Sequence, residues 1–384
     1  MKKTLCALAV LGAFAGTSLA ADVTLWGIVD EGLLYTSIDK DDGQSSTDKL
    51  ELKSGIQSGS RWGLRGAEEL GNGTKVGFAL ESGFNADDGT LASAGTLFNR
   101  EASLYVEGRL GKLAAGRIGA INQGTSSWAK LGTLSAFGTA FGDYVMGAGS
   151  SFAKADMFNN MIAYQTPKFG GFQVIAQYGM GEGGTYTTEN TSKATRYYAV
   201  GATYNAGPAA LYFAVDSTNY QTWDGEKKKL VEKADKIDDS LTVTFGGNYD
   251  FGVAKVFGGI QYFDEVQLKY VGSMKTITAA DADTEKLKGY AVGLSASAPV
   301  LGGTALVGLS YIDAETADSY KAINPGKSYD ATRTAVSICY TYNLSKRTNI
   351  YSAASYIRDS YDFSYQEDKD PTAIAVAVGL RHQF

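Results

Sequence analysis

The chain has 384 residues, with 35 Lys and Arg against 41 Asp and Glu and a formal charge of −6, so no basic surface for nucleic acid is expected. It carries 47 Gly, 24 Tyr and 17 Phe but only 5 Pro, 2 Cys and one His, an abundance that favours strands and tight turns over helices. Two cysteines cannot build a disulfide framework, and one His without a Cys cluster offers neither a transition-metal site nor a cofactor ligand set.

Residues 1–20, MKKTLCALAVLGAFAGTSLA, put Lys2 and Lys3 before a short apolar stretch and finish on Ser18-Leu19-Ala20. This reads as a secretory signal peptide cut before Ala21. Cys6 leaves with it, so Cys339 is the one thiol of the remaining domain, 21–384. No later stretch approaches the roughly 18 apolar residues that a spanning helix needs.

Beyond residue 22 the apolar residues mostly alternate with small or polar ones, which suits strands wetted on one side. With turn residues as punctuation, strands are predicted at 23–36, 50–66, 74–84, 98–107, 112–118, 159–166, 172–180, 195–204, 209–220, 239–249, 254–266, 287–298, 304–314, 332–342, 349–361 and 371–384, about sixteen in all. The last is the clearest. Ile374, Val376, Val378, Leu380, His382 and Phe384 share one face, while Ala373, Ala375, Ala377, Gly379, Arg381 and Gln383 share the other. A terminal aromatic on such a strand is similar to the signal read by the outer-membrane insertion machinery.

The connections alternate in length. EELGNG, GRLG, PKFGG, NAGP, YDFGV, PVLGG and NLSKRT are tight, and those between them are long and polar. Transmembrane barrels segregate short periplasmic turns from long outer loops in this way and use an even strand number. Hydrocarbon demands that every backbone donor and acceptor be paired within the protein, so a spanning sheet must close on itself. At about sixteen strands the lumen is too wide for side chains to fill and holds water. The fold expected is therefore all-β, a 16-stranded antiparallel transmembrane β-barrel. One connection stands apart, about forty residues from Gly119 to Phe158, rich in Gly, Ser, Ala and Phe. A loop of that length needs a function.

Ordered motifs carry a resemblance across essentially the whole chain after the signal: VTLWGIVDEGLLY at 23–35, SRWGLRGAEELGNGTKVGFALESGF at 60–84, GKLAAGR at 111–117, NNMIAYQTPKFGGFQVIAQY at 159–178 and the terminal VGLRHQF. The sequence resembles the Gram-negative porins of the Neisseria and Burkholderia type. That resemblance implies a homotrimeric general diffusion porin of the bacterial outer membrane, set among lipid and lipopolysaccharide. Its third loop would fold into the lumen and narrow it to an eyelet for ions and small hydrophilic solutes. Family porins line the eyelet with arginines and face them with acidic groups. The matching positions are Arg61 in SRWG, Glu81 in LESGF and Arg100 in NRE, with Arg117 in AGR and Asp143 on the loop as further candidates. The family often has another basic residue just before the strand starting at Asn159. Here Asp156-Met157-Phe158 stands instead, with Lys154 the nearest substitute, which leaves the sign of ion preference open.

Strand parity bears on these positions independently. Arg61 and Arg65 share a face with Gly63, and Lys75 and Glu81 share one with Gly77 and Ala79. On the lipid side a mid-membrane Arg costs about 2 to 4 kcal/mol, so the charged, small-residue face points into the lumen. Arg65, near Glu68 and Glu69, reads equally as a structural ion pair. Lys227, Lys228 and Lys229 interleave with Glu226 and Glu232 as a solvated outer loop. Trp26 and Trp62 read as members of an outer aromatic girdle or of the subunit interface. Enzyme chemistry has little to stand on, because His382 lies on the outward face two residues from the end. The remaining alternative is a non-conducting surface receptor or adhesin barrel, which requires an occluded lumen.

Overall fold

The computed structural model describes residues 23–142, 148–180, 195–219, 222–224, 229–231, 238–272 and 285–384. In chain order the strands are β1 (Thr24–Asp39), β2 (Thr47–Ser54), β3 (Arg61–Gly71), β4 (Thr74–Gly83), β5 (Glu101–Gly108), β6 (Gly111–Gly119), β7 (Met157–Gln165), β8 (Phe172–Gly179), β9 (Arg196–Ala206) and β10 (Ala209–Asn219). After them come a small separate hairpin, β11 (Thr222–Asp224) and β12 (Lys229–Val231), within the charged outer segment, then β13 (Leu241–Asp250), β14 (Lys255–Gln267), β15 (Lys286–Val300), β16 (Gly303–Thr316), β17 (Tyr329–Asn343), β18 (Thr348–Phe363) and β19 (Thr372–Gln383).

From β3 onward each barrel strand pairs antiparallel with the next, β10 with β13 across the hairpin, and β19 returns to β1, from Gln383 opposite Ile28 to Thr372 opposite Asp39. β2 and β3 both pair with β1, on its later and earlier halves, so they are two pieces of one crossing. The result is a closed barrel of sixteen crossings.

That broken crossing corrects the expectation of a continuous strand over 50–66. Residues 55–60, Gly-Ile-Gln-Ser-Gly-Ser, leave the ladder and turn inward. Gly55 supplies the left-handed backbone (φ 75) at which the strand departs. Asp30 on the inner face of β1 holds the excursion. Its carboxylate accepts from the Ser58 N–H and from the Tyr351 hydroxyl at 2.7 Å, and its carbonyl accepts from the Gly55 N–H at 2.8 Å.

Alternation along β19 follows the sequence pattern. Ala373, Ala375 and Ala377 are buried on the inner side, whereas Ile374, Val376, Val378 and Leu380 are 46–55 % exposed on the outer side. Phe384 joins them, its ring lying over Gly27 while the two backbones exchange hydrogen bonds of 3.2 and 3.0 Å across the seam. Trp62 is on the outer face as expected, edge-on to Phe98 at 6.1 Å. Trp26 is not. It opposes Gly63 on the inner face, with the Arg65 guanidinium 6.0 Å above its ring. This contact, rather than Glu68 or Glu69, is what Arg65 makes, so neither the girdle reading of Trp26 nor the ion-pair reading of Arg65 survives.

The long segment after β6 folds into the barrel. It contains a 3-10 turn at Leu131–Leu134 and a helical turn at Ala148–Ser151. Ile121, Trp128, Leu131, Leu134, Phe137, Phe141 and Phe152 are all buried. What makes room for them is the inner wall itself, which is glycine where the lobe touches it. A Cβ on Gly201 would sit 2.5 Å from Ile121, one on Gly259 would sit 3.0 Å from both Leu134 and Phe152, and one on Gly293 would sit 3.0 Å from Phe152. Apolar packing is then closed by side-chain amides on the wall. Gln177 accepts from the Ile121 N–H (2.7 Å), Gln261 bonds the N–H and carbonyl of Ala153 (2.7 and 3.0 Å), and Asn248 donates to the Thr133 carbonyl (3.0 Å). Tyr212 donates to Asn122 at 2.5 Å, and Asn122 in turn bonds the buried Asp216. Every such bond satisfies a polar group that a buried loop would otherwise leave orphaned.

A second inward segment follows β14 and was not foreseen. Leu268–Tyr270 form a 3-10 turn, Val271 bridges to Ala153, and the Lys154 N–H donates to the Tyr270 carbonyl at 2.9 Å. The Tyr270 hydroxyl reaches Asp156 at 2.6 Å. Behind this strap, Arg333 on β17 makes a bidentate pair with Asp359 on β18, both contacts 2.6 Å, and its third bond of 2.5 Å goes to the Gly272 carbonyl. Arg333 and Asp359 are 1 % and 0 % exposed.

Candidate functional site

The waist of the barrel is where the inward excursion at 55–60, the folded lobe and the inner wall meet. Phe141 links all three. Its N–H donates to the Gln57 carbonyl (3.3 Å) and its ring packs edge-on to Tyr351 at 5.6 Å. Asn349 donates to the Gln57 side chain at 2.8 Å. The lobe is therefore pinned to the excursion at Gln57 and to the wall at Tyr351.

That wall is charged. Glu81 on β4 is in direct contact with Arg100 Nε and lies 3.5 Å from Arg61 Nε. All three side chains are half-buried. Arg61 also donates to the Gly59 carbonyl at 2.9 Å, which ties it to the excursion. Arg100 lies just before β5, with its Cδ 3.3 Å from where a Cβ on Gly83 would be. The expected trio Arg61, Glu81 and Arg100 is thus one cluster.

A fourth member was not singled out. Arg381 on β19 opposes Asp30 on the inner face and donates to Ser58 Oγ at 3.1 Å. It stands close enough to Arg61 for their charges to interact. Its signal was in the sequence, since it shares the small-residue face of the terminal strand. Three guanidiniums, Arg61, Arg100 and Arg381, are thus gathered with the carboxylates of Glu81 and Asp30. In a narrow, protein-walled opening such a field is screened less than on an open surface and biases which ions enter.

The two other candidates do not join the cluster. Arg117 opposes Ala102, whose strand neighbours Leu104 and Val106 are 59 % and 46 % exposed on the outer face. A bulge between Gly116 and Ile118 accompanies this placement, and Arg117 is satisfied by the Asn99 carbonyl (2.8 Å) and Asn159 (2.6 Å) at the rim. It does not line the pore. Asp143 lies outside the described residues. Lys154, considered as a substitute basic group, has its backbone bound to the strap beside Tyr270.

Residues 7–362 match the family model described as Gram-negative porin. The chain belongs to that family. An outer membrane porin protein of Bordetella pertussis is 33% identical over 420 residues, covering all of both chains. The solved anion-selective porin from Comamonas acidovorans is 28% identical, with a TM-score of 0.68 over 95% of this chain and 100% of that one. OmpT of Vibrio cholerae in its trimer form shares the fold alone, at 14% identity and a TM-score of 0.61 over 95% of this chain. This porin is accordingly a general diffusion channel of the bacterial outer membrane, and the family to which it belongs consists of channels rather than enzymes. Among the described residues no group of His, Cys, Asp and Glu could hold a metal ion.

Proposed function

We propose that the passage between the folded lobe and the β3–β5 wall is a charged constriction, and that this porin conducts small hydrophilic solutes with a preference for anions. The observation that carries the reading is the gathering of three guanidiniums, Arg61, Arg100 and Arg381, on one wall with the two carboxylates Glu81 and Asp30. The name of the anion-selective Comamonas porin points the same way. His382, held by Thr348 at 2.9 Å on the outer face, has no catalytic task, and the protein is assigned no enzymatic one. As in the trimer form of OmpT, the functional unit proposed is a homotrimer, with lipid and lipopolysaccharide around it and Phe384 as the segment the insertion machinery reads.

Planar-bilayer recording in a potassium chloride gradient tests this. Ohmic conductance in steps of three is expected, with a reversal potential of the anion-preferring sign. Replacing Arg61→Gln together with Arg100→Gln moves that potential toward the cation side, more strongly at low salt than at high, because the field is screened within about 10 Å at 0.1 M. Correct insertion without conductance would instead favour the receptor or adhesin reading. A reversal potential unmoved by the double substitution would remove these residues from the constriction.

A further inference from the structure

Large aromatic rings of a membrane barrel collect in the girdles on its outer face, yet Trp26 stands on the inner face of β1, opposite Gly63 of β3. Gly63 is what admits it. A Cβ built there would lie 2.9 Å from Trp26 Nε1 and 3.0 Å from Cε2, so the indole lies over bare backbone that any larger residue would occupy. Two residues further along the same face, Arg65 places its guanidinium 6.0 Å from the centre of that ring.

The ring is the one partner Arg65 has. Its side chain is exposed, and among the described residues it makes no hydrogen bond and no ion pair. Across the ladder it meets Thr24 and Ala79, neither of them charged. The carboxylates on this face of β3 and β4 are elsewhere: Glu69 lies four residues along, opposite Lys75, and Glu81 lies opposite Gly63, engaged with Arg61 and Arg100. Gly63, Ala67, Gly77 and Ala79 surround Arg65 on the two strands, so the wall does not fill the water beside it. A guanidinium attracted to the face of an indole keeps its five N–H donors, and here no protein acceptor takes them up among the described residues.

The position along the channel follows from the strand. β3 runs from Arg61 toward the short turn at 71–73, and short turns are periplasmic. Four residues at about 3.3 Å each, tilted by about 40°, put Arg65 about 10 Å from Arg61 along the channel axis. We infer that Arg65, seated on Trp26, is a second anion-binding position of the lumen, on the periplasmic side of the constriction, whose forked donors take the oxyanion groups of passing solutes, carboxylate or phosphate. This rests on the reading of the lumen as a conducting channel and not on the charges of the constriction.

The test is single-channel recording in potassium chloride with succinate or inorganic phosphate added to one chamber and then, in a separate recording, to the other. In wild type each oxyanion is expected to reduce the chloride current, at a lower concentration from one chamber than from the other, and comparison of the two identifies the oxyanion preferred. Arg65→Gln should raise the lower half-blocking concentration about tenfold, the loss expected for a charged hydrogen bond, and so remove the difference between chambers. Arg65→Lys keeps the charge without the fork and should leave the block weakened. Trp26→Leu keeps Arg65 but removes its seat, and should weaken the block by less than Arg65→Gln. Through all three the sign of the reversal potential set by Arg61, Arg100 and Arg381 is unchanged, which also shows that the barrel and its lobe are intact. Block unaltered by Arg65→Gln overturns the proposal, and so does block by Arg65→Lys equal to wild type, which would make the position a point charge. Silent channels would sink the conducting reading itself.

Discussion

Asp359→Ala is expected to lower the stability of the barrel by about 3 to 5 kcal/mol, read as a drop in the urea midpoint of the detergent-solubilised protein. The pair is buried at 1 % and 0 % exposure, so deleting the carboxylate removes the bidentate counter-charge of a guanidinium that water cannot reach. Arg333 keeps its bond to the Gly272 carbonyl, at 2.5 Å. Removing both charges with hydrophobic residues of similar volume, Arg333→Met with Asp359→Leu, should restore most of the loss, because a buried pair is worth little more than well-packed apolar groups. The two outcomes part company in electrical recordings. The double variant regains stability but still lacks the donor to Gly272, and the strap at 268–272 backs Ala153 and Lys154 of the lobe. Open-channel current noise should therefore stay raised in the double variant. Quiet channels there would show that the clamp serves the barrel alone, and an unchanged urea midpoint in Asp359→Ala would deny it even that.

How far the sequence spoke for itself depended on whether a feature is periodic. The terminal strand, the alternation of turn lengths and the forty-residue insertion are all regular patterns in one dimension, and each recurs in the structure. The cluster of Arg61, Glu81 and Arg100 was legible because small inner residues surround those charges on two neighbouring strands, and family motifs name the same positions. Arg117 shows where such reasoning ends. Beside a bulge at Gly116, a motif position stops telling which way a side chain points, and the register puts it with Ala102 and Leu104 outside. Residues 55–60 were read as strand because nothing in their polarity breaks an alternating pattern. Their departure is decided by Asp30, Tyr351 and Asn349, the last bonded to Gln57 from 292 positions away. The Arg333 and Asp359 pair is of the same kind, since two charges on strands of mixed polarity look solvated until the strap that covers them is in place.

Filling the glycine floor beneath the lobe is expected to change conduction most directly. At Gly259 the three atoms nearest to a built Cβ belong to Leu134 and Phe152, and at Gly293 they belong to Phe152 and Ser151. Valine at either position thus meets the lobe before it meets the barrel. Strand pairing should survive, while overpacking costs about 1 to 3 kcal/mol at the contact. The lobe is tethered to the wall at both flanks through Gln177 and Gln261, so displacement of its middle is directed toward the open side of the lumen. Gly259→Val with Gly293→Val should lower single-channel conductance in planar bilayers. Adding Phe152→Ala removes the ring that both new side chains strike and should bring conductance back toward the wild-type level. Wild-type conductance in the double valine variant would mean that the passage does not run beside this part of the lobe. Lowered conductance that Phe152→Ala fails to relieve would place the obstruction in the wall itself. Rescue by the alanine ties the width of the pore to the missing side chains of its lining, which is the physical reason a wide barrel can hold a sieve at its waist.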